Sequence, residues 1–208
     1  MAAQSTRPTG AAATSAEAKD SFDSVAAELE RRGWTRSVMA SSKGRDDQGR
    51  ERDDFTAAVK AVVAAKSRPG VGIIVSGEYG CGKTAFVKAV TGYDRYPYLF
   101  DMNSPLDREL LSVDGRYEEQ RRDLFGHDII VDDLGAELRK HYGEPDYSEA
   151  RDFICEYHVR GRGRLYITTN LRMGELLDRY GGRFVDRLKD IGIPVRFYGG
   201  SKRKWIRT

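Results

Sequence analysis

The sequence predicts a three-layer α/β fold with a mostly parallel five-stranded sheet and no separate C-terminal lid domain. An apolar, β-branched run at 71–75 precedes a glycine-rich loop, and a helical pattern follows from residue 84. Further apolar segments of strand length then alternate with helical segments, as in parallel sheets covered by helices. Polar residues follow three of these strands, at the carboxyl ends where parallel sheets bind ligands.

The glycine-rich loop has the sequence Gly77-Glu-Tyr-Gly-Cys-Gly-Lys83-Thr84. Glycines, Lys and Thr at this spacing, between a strand and a helix, are typical of the phosphate-binding P-loop of NTPases. We expect Lys83 to reach the β- and γ-phosphates of a nucleotide and the Thr84 hydroxyl to bind Mg²⁺. The residues predicted to bind the nucleotide are Gly77, Gly80, Cys81, Gly82, Lys83, Thr84 and Ala85. The loop therefore predicts a P-loop NTPase.

Length and composition favour one soluble domain. The chain has 208 residues and a formal net charge of +3, so it is not strongly basic as a whole. No apolar run approaches the length of a membrane helix, and no signal peptide is visible. The two cysteines, Cys81 and Cys155, are predicted to be reduced thiols of a cytoplasmic protein.

Residues 1–52 are predicted to be an N-terminal segment outside the nucleotide-binding domain at 53–208. The Ala/Ser/Thr-rich stretch from Met1 to about Asp20 is expected to be disordered. A short amphipathic helix is predicted near 21–32, followed by a polar linker from Trp34 to about Arg52. The sequence leaves open whether this helix packs on the body of the protein or on a partner.

Capping residues and apolar runs predict the remaining elements. Asp53 or Asp54 caps a helix that ends near Lys66, Gly92 ends the helix after the P-loop, and Ser104-Pro105 begins another helix. The predicted strands after the P-loop cover 98–101, 127–131, 164–168 and 193–198, and the other predicted helices cover 118–124, 147–160 and 174–188 with an interruption at 181–182.

Two carboxylates end the apolar strand at 127–131. Phosphoryl transfer to water needs a metal ion on the phosphates and a polar group that orients the attacking water. We expect Asp132 to bind Mg²⁺, through a water molecule, and Asp133 to orient or deprotonate the attacking water. The alternative is that both residues only end the strand in a turn, as Asp often does.

Three more residues are predicted to act in the same site. Asn170 follows the next strand and is placed to hydrogen-bond the γ-phosphate or the water. Arg183 and Arg187 are four residues apart, so they share one face of a helix. An arginine supplied by a neighbouring subunit stabilises the transition state in many NTPases. The alternative is that either arginine forms a surface ion pair with Asp186 or Asp190.

Four motifs in this order resemble the DnaC/IstB branch of the AAA+ ATPases, which are replicative-helicase loaders and transposition helper ATPases. They are the P-loop, Ile129-Ile-Val-Asp-Asp-Leu-Gly-Ala-Glu137, Tyr166-Ile-Thr-Thr-Asn-Leu171 and Tyr180-Gly-Gly-Arg-Phe-Val-Asp-Arg-Leu188. The resemblance covers about Asp53 to Arg203 and implies an AAA+ ATPase domain of the ASCE type.

The resemblance implies Walker A at 77–84, Walker B at Asp132 and Asp133, and sensor I at Asn170. It also implies an arginine finger at Arg187 or Arg183, acting on ATP and Mg²⁺ bound between subunits of a homo-oligomer. Asp186 occupies the position of a Ser in the family, and the N-terminal segment is shorter than the family's partner-binding domain.

The resemblance implies an ATPase that loads or remodels a replicative helicase on single-stranded DNA. An IstB-type helper of a transposase is the alternative, and the sequence does not separate the two. Arg160-Gly-Arg-Gly-Arg164 and the basic tail at 199–208 are predicted to contact the DNA backbone. The alternative is that these charges only form a solvated surface. Two further alternatives are a P-loop small-molecule kinase and a nucleotide-switched binding module with little turnover.

Overall fold

The structure is a computed structural model that describes residues 15–35, 43–92, 98–112, 117–137 and 148–200. In chain order its elements are α1 (Ser15–Arg31), β1 (Lys43–Arg45), β2 (Glu51–Asp53), α2 (Asp54–Lys66), β3 (Gly72–Gly77), α3 (Lys83–Thr91), β4 (Tyr98–Asp101), α4 (Pro105–Leu111), α5 (Glu118–Leu124), β5 (Ile129–Leu134), α6 (Glu149–Arg160), β6 (Leu165–Thr169), α7 (Met173–Tyr180), α8 (Gly182–Ile191) and β7 (Gly192–Phe197).

A sheet of five strands, in the order β4-β5-β6-β3-β7, carries the fold. All four pairings between neighbouring strands are parallel. The P-loop strand β3 is separated from the carboxylate strand β5 by β6, so the carboxyl ends of these three strands are adjacent. No further helix lies between β7 and Gly200. The order, with a P-loop after β3, confirms the predicted P-loop NTPase fold with a parallel five-stranded sheet.

Two apolar clusters cover the two faces of the sheet. Strand β5 shows how they arise, because Ile129 and Val131 lie in one cluster and Ile130 lies in the other. Side chains that alternate along a strand point to opposite faces. Helices α4 to α8 pack on the first face and α1 to α3 on the second, which gives three layers.

The predicted caps are present. The Asp53 carboxylate accepts a hydrogen bond from Thr56 N at 3.0 Å and begins α2. Ser104 caps α4, and Pro105 occupies its first turn. Gly92 ends α3 in the left-handed conformation. The structure places α7 and α8 on either side of Gly181, which has φ +84 and interrupts the predicted helix there.

The N-terminal segment differs from its prediction. Helix α1 begins at Ser15, six residues earlier than expected, and buries Val25 and Leu29 against the body. Trp34 does not lie in a linker, because its ring is 1% exposed. It stacks on Phe55, with ring centroids 5.1 Å apart. A lone aromatic in a polar stretch shows no periodicity, so the sequence pattern does not reveal that it is buried.

Residues 43–53 also differ from the predicted linker, since β1 and β2 form an antiparallel hairpin there. The predicted disorder is wrong for residues 15–20, which belong to α1, whereas residues 1–14 and the basic tail from 201 lie outside the described residues. A domain boundary near residue 53 stays a prediction. None of the helices in the described part of the chain has the length and apolar character that a bilayer crossing requires.

Candidate nucleotide-binding site

The P-loop turns tightly between β3 and α3. Gly80 and Gly82 have φ of +77 and +95, a region that favours glycine. Gly77 has φ +155, and a Cβ there would lie 2.7 Å from the carbonyl oxygen of Phe197 on β7. The first turn of α3 contains no acidic residue, and no side chain caps it. Its N–H groups, at Lys83, Thr84 and Ala85, are therefore suited to an anion.

Cys81 contributes backbone rather than thiol chemistry to this loop. Its side chain is 0% exposed, and burial raises the pKa of the thiol. A raised pKa keeps the sulfur protonated at neutral pH, which makes it a poor nucleophile. Cys81 and Cys155 are both free thiols, as predicted.

Lys83 links the P-loop to the neighbouring strand. Its ammonium donates hydrogen bonds to Gly77 O at 3.0 Å, Glu78 O at 2.9 Å and Asn170 Oδ1 at 2.7 Å. The residue is 5% exposed, and these three acceptors are neutral. A buried ammonium surrounded by neutral oxygens gains from an anion such as phosphate. The structure thus brings together two predicted residues, Lys83 and Asn170, from different strand ends.

Thr84 and Asp132 form the second contact between predicted residues. The Thr84 hydroxyl donates to Asp132 Oδ1 at 2.9 Å and to Oδ2 at 3.1 Å. The pKa of Asp132 is raised above its usual value because the carboxylate is buried, and the hydrogen bonds from Thr168 and Thr84 only partly offset this effect. These oxygens fit Mg²⁺, which prefers oxygen ligands and is held by one or two carboxylates together with phosphates. Among the described residues, no group of three or more His, Cys, Asp or Glu side chains is arranged to hold a metal ion by itself.

Asp133 occupies a left-handed conformation, with φ +56. Among the described non-glycine residues, no other has a positive φ. Its carboxylate accepts hydrogen bonds from Asn170 Nδ2 and Asn103 Nδ2, each at 3.2 Å. Its N–H donates to the Thr168 hydroxyl at 2.9 Å. Because Asn170 also contacts Lys83, the carboxylate is joined through one amide to the phosphate-binding lysine.

Sequence reasoning assigned no role to two residues of this network. Thr168 is 0% exposed and donates to Asp132 Oδ1 at 2.5 Å while accepting from the Asp133 N–H, so one hydroxyl positions both acids. Asn103 follows β4 and reaches Asp133. The polar end of that strand, Asp101-Met-Asn103, carries the same signal that identified the other three strand ends.

Glu137, the last residue of the Asp-Asp-Leu-Gly-Ala-Glu run, has a structural role. It is 4% exposed and accepts hydrogen bonds from Gly135 N at 2.8 Å, from Ser148 Oγ at 2.9 Å and from the Tyr180 hydroxyl. Burial and the neighbouring Glu137 raise the pKa of Tyr180. The glutamate therefore connects three places in the fold, which are the end of β5, the start of α6 and the end of α7.

The two predicted arginine fingers lie on α8, away from the network. Arg183 is exposed and Arg187 is half-buried. Asp186 pairs with Lys189 at 3.0 Å, and Asp190 pairs with His158 at 3.5 Å. Among the described residues, neither arginine forms an ion pair, and neither one hydrogen-bonds a residue of the network around Lys83.

The basic stretch at 160–164 lies at the amino ends of the strands, on the side of the sheet opposite to the P-loop. Arg160 ends α6 and pairs with Glu156 at 2.6 Å. Arg164 precedes β6, and its N–H donates to Asp128 Oδ1 at 2.8 Å beside the start of β5. These residues are at the amino ends of the strands, whereas the P-loop is at the carboxyl ends.

No family model matches the chain, and no curated protein matches it in sequence. Among solved structures, the chain is similar to a cryo-EM reconstruction of Hsp104 in its closed state with ATPγS and FITC casein. The TM-score is 0.48 and the sequence identity is 13%, over 82% of this chain. The match spans 36% of the length of that Hsp104 chain. The P-loop NTPase fold of this chain is seen in its own strand order and in the loop before α3.

Proposed function

We propose that this protein is a Mg²⁺-dependent ATPase. One observation carries the proposal: Lys83 of the P-loop contacts Asn170, which follows β6, and Thr84 contacts Asp132 in the neighbouring strand β5. A glycine-rich turn without an NTPase role has no reason to be tied to polar groups of two other strands. The choice of ATP as the nucleotide is supported by the AAA+ resemblance.

In the proposed reaction, the N–H groups of the P-loop and the Lys83 ammonium bind the phosphates. Thr84 and Asp132 would hold Mg²⁺, which would neutralise charge on the phosphate oxygens. Asp133 orients the attacking water and accepts its proton, and the amides of Asn170 and Asn103 keep that carboxylate in place. Asn170 also hydrogen-bonds Lys83, so the water-positioning and phosphate-binding groups form one connected set.

We further propose that ATP turnover drives the loading or remodelling of a replicative helicase on single-stranded DNA. The motifs shared with the DnaC/IstB branch support this role, and a transposase is the alternative partner. ATP would lie between subunits, with Arg187 or Arg183 supplied by the neighbour. The absence of a partner for either arginine among the described residues is compatible with a role outside its own protomer.

The test is ATP hydrolysis by the purified chain, with and without single-stranded DNA. We expect turnover that DNA stimulates and that Lys83→Ala abolishes. Lys66→Ala is the matched control, since Lys66 is an exposed lysine on α2 that pairs with Glu28. Turnover that survives Lys83→Ala would contradict the ATPase proposal. Turnover that no DNA stimulates would leave the ATPase in place and contradict the loader.

A further inference from the structure

The tip of the β1–β2 hairpin lies beside the P-loop and carries an acid between two arginines. Asp47 accepts a hydrogen bond from Arg196 Nη1 at 3.3 Å and forms an ion pair with Arg172 Nη1 at 3.7 Å. Arg196 belongs to β7, and Arg172 lies two residues after Asn170. One carboxylate thus bridges guanidinium groups from two separate strand ends.

Both arginines line a cavity beside the first residues of the P-loop. The cavity has a volume of about 120 Å³, and its lining includes Gly77, Glu78 and Asn170. These three residues are the ones that Lys83 contacts with its ammonium. Arg196 is also the register partner of Ser76, the residue before the first P-loop glycine. The arginines therefore share a cavity with the groups that surround the phosphate-binding lysine.

The structure holds the hairpin tip in a defined position. Asp46 is 9% exposed and accepts hydrogen bonds from the N–H groups of Gln48 and Arg50 at 2.9 and 3.0 Å, and from the Arg52 guanidinium at 2.8 Å. The hairpin also packs closely on the chain after β7, because a Cβ at Gly44 would lie 2.0 Å from the carbonyl oxygen of Tyr198. The adjacent Asp47 is thereby presented to the arginines.

The Asp47 contacts are of a kind that a phosphate can replace. The side chain of Asp47 is 62% exposed and that of Arg172 is 60% exposed. Ion pairs between side chains as exposed as these contribute little free energy, so a competing ligand can displace them. Guanidinium groups bind carboxylates and phosphates with the same planar pattern of donors, and a terminal phosphate offers more negative charge and more acceptor oxygens.

We infer that Arg172 and Arg196 bind the terminal phosphate of the nucleotide, and that Asp47 occupies them when that phosphate is absent. The inference rests on the proposed nucleotide site at the P-loop and adds two binding residues and a competing carboxylate to it. The arginines then distinguish a nucleoside triphosphate from a diphosphate within one protomer, and the hairpin tip is released when the triphosphate binds.

The experiment compares affinities for ATPγS and ADP, both with Mg²⁺, by calorimetry on the full chain. We expect Arg172→Ala and Arg196→Ala each to weaken ATPγS binding about ten-fold, the usual effect of losing one charged hydrogen-bond partner. ADP binding should change less than about two-fold, because ADP does not reach the pair. Arg122→Ala is the matched control, an exposed arginine on α5 that pairs with Glu118. Equal losses for both nucleotides would overturn the inference.

Asp47→Asn tests the competing carboxylate. We expect tighter binding of ATPγS, with no gain in Asp123→Asn, in which the lost carboxylate is an exposed one on α5. A negative charge near any phosphate site weakens binding through space, so the decisive variant combines Asp47→Asn with Arg172→Ala and Arg196→Ala. We expect the gain to vanish in that combination. A gain that persists without the arginines would refute the competition.

The same titrations separate this inference from the proposed function. If Lys83→Ala leaves both affinities unchanged, the P-loop is not the nucleotide site and the proposed function fails. If Lys83→Ala weakens both nucleotides while the arginine variants change neither, the nucleotide site is supported and only the inference fails.

Discussion

Thr168 provides the sharpest test of how the site is built. Its hydroxyl donates to Asp132 and accepts from the Asp133 N–H, and Thr168→Val removes both hydrogen bonds with little change in shape. The unpaired Asp133 N–H and the weakened Asp132 contact each cost ~1–3 kcal/mol. Asp132 keeps its contact with Thr84, so its share is at the low end. We expect the free energy of unfolding to fall by about 2–3 kcal/mol.

The neighbouring Thr169 gives a matched control. It is also 0% exposed, and its hydroxyl donates to Leu134 O at 2.6 Å and accepts from Leu171 N at 3.1 Å. Thr169→Val should therefore cost a similar free energy of unfolding without touching either acid. We expect ATP turnover to fall roughly 10–100-fold in Thr168→Val, as for other residues that orient metal ligands. In Thr169→Val it should stay within about two-fold of the parent.

The assays are urea unfolding, which measures the stability change, and steady-state ATP turnover at a temperature where all variants are folded. Thr168→Ser keeps the hydroxyl and loses one methyl group, so it should retain turnover and lose only about 1 kcal/mol. Equal loss of turnover in the two valine variants would refute the reasoning, because the effect would then follow stability. Full turnover in Thr168→Val would refute it as well.

Other regions of the molecule yield three more predictions. Asp133→Asn should slow turnover about 100-fold or more, because an amide does not accept the proton of the attacking water. ATP binding should stay intact, because Asn also tolerates a positive φ, and an equal loss of binding and turnover would contradict this prediction. Trp34→Ala should lower the free energy of unfolding by about 3–5 kcal/mol in urea titrations, with a smaller loss for Trp34→Phe, and a loss below ~1 kcal/mol would place the ring outside the core. The Lys66 hydrogen bond lowers the pKa of Glu28, so the contact between α1 and α2 should be fully stabilising at neutral pH and weaken as the pH falls through that lowered pKa. Hydrogen exchange of α1 at neutral and acid pH tests this, and Glu28→Gln should remove the pH-dependent part; an acid response unchanged in that variant would assign it to other groups.

Much of the fold and part of the site follow from local sequence. Residues close together in the chain specify the strands, the helix caps at Asp53 and Ser104, and the P-loop before α3. Their periodicity and turn chemistry are visible in the sequence. The pair Asp132-Asp133 was predictable for the same reason, since it directly follows the apolar residues 129–131 of β5.

The contacts that make a site from these parts depend on the register of distant strands. Lys83 and Asn170 are 87 residues apart, and Thr168 lies 36 residues from Asp132, so no local pattern indicates that they touch. The N-terminal segment shows the same limit, because the burial of Trp34 and the hairpin beside the P-loop both arise from packing on elements far along the chain. The sequence by itself determined the elements and the class of chemistry. Only the tertiary structure decided which polar groups meet, since parallel pairing of β5, β6 and β3 sets the distances between their carboxyl ends.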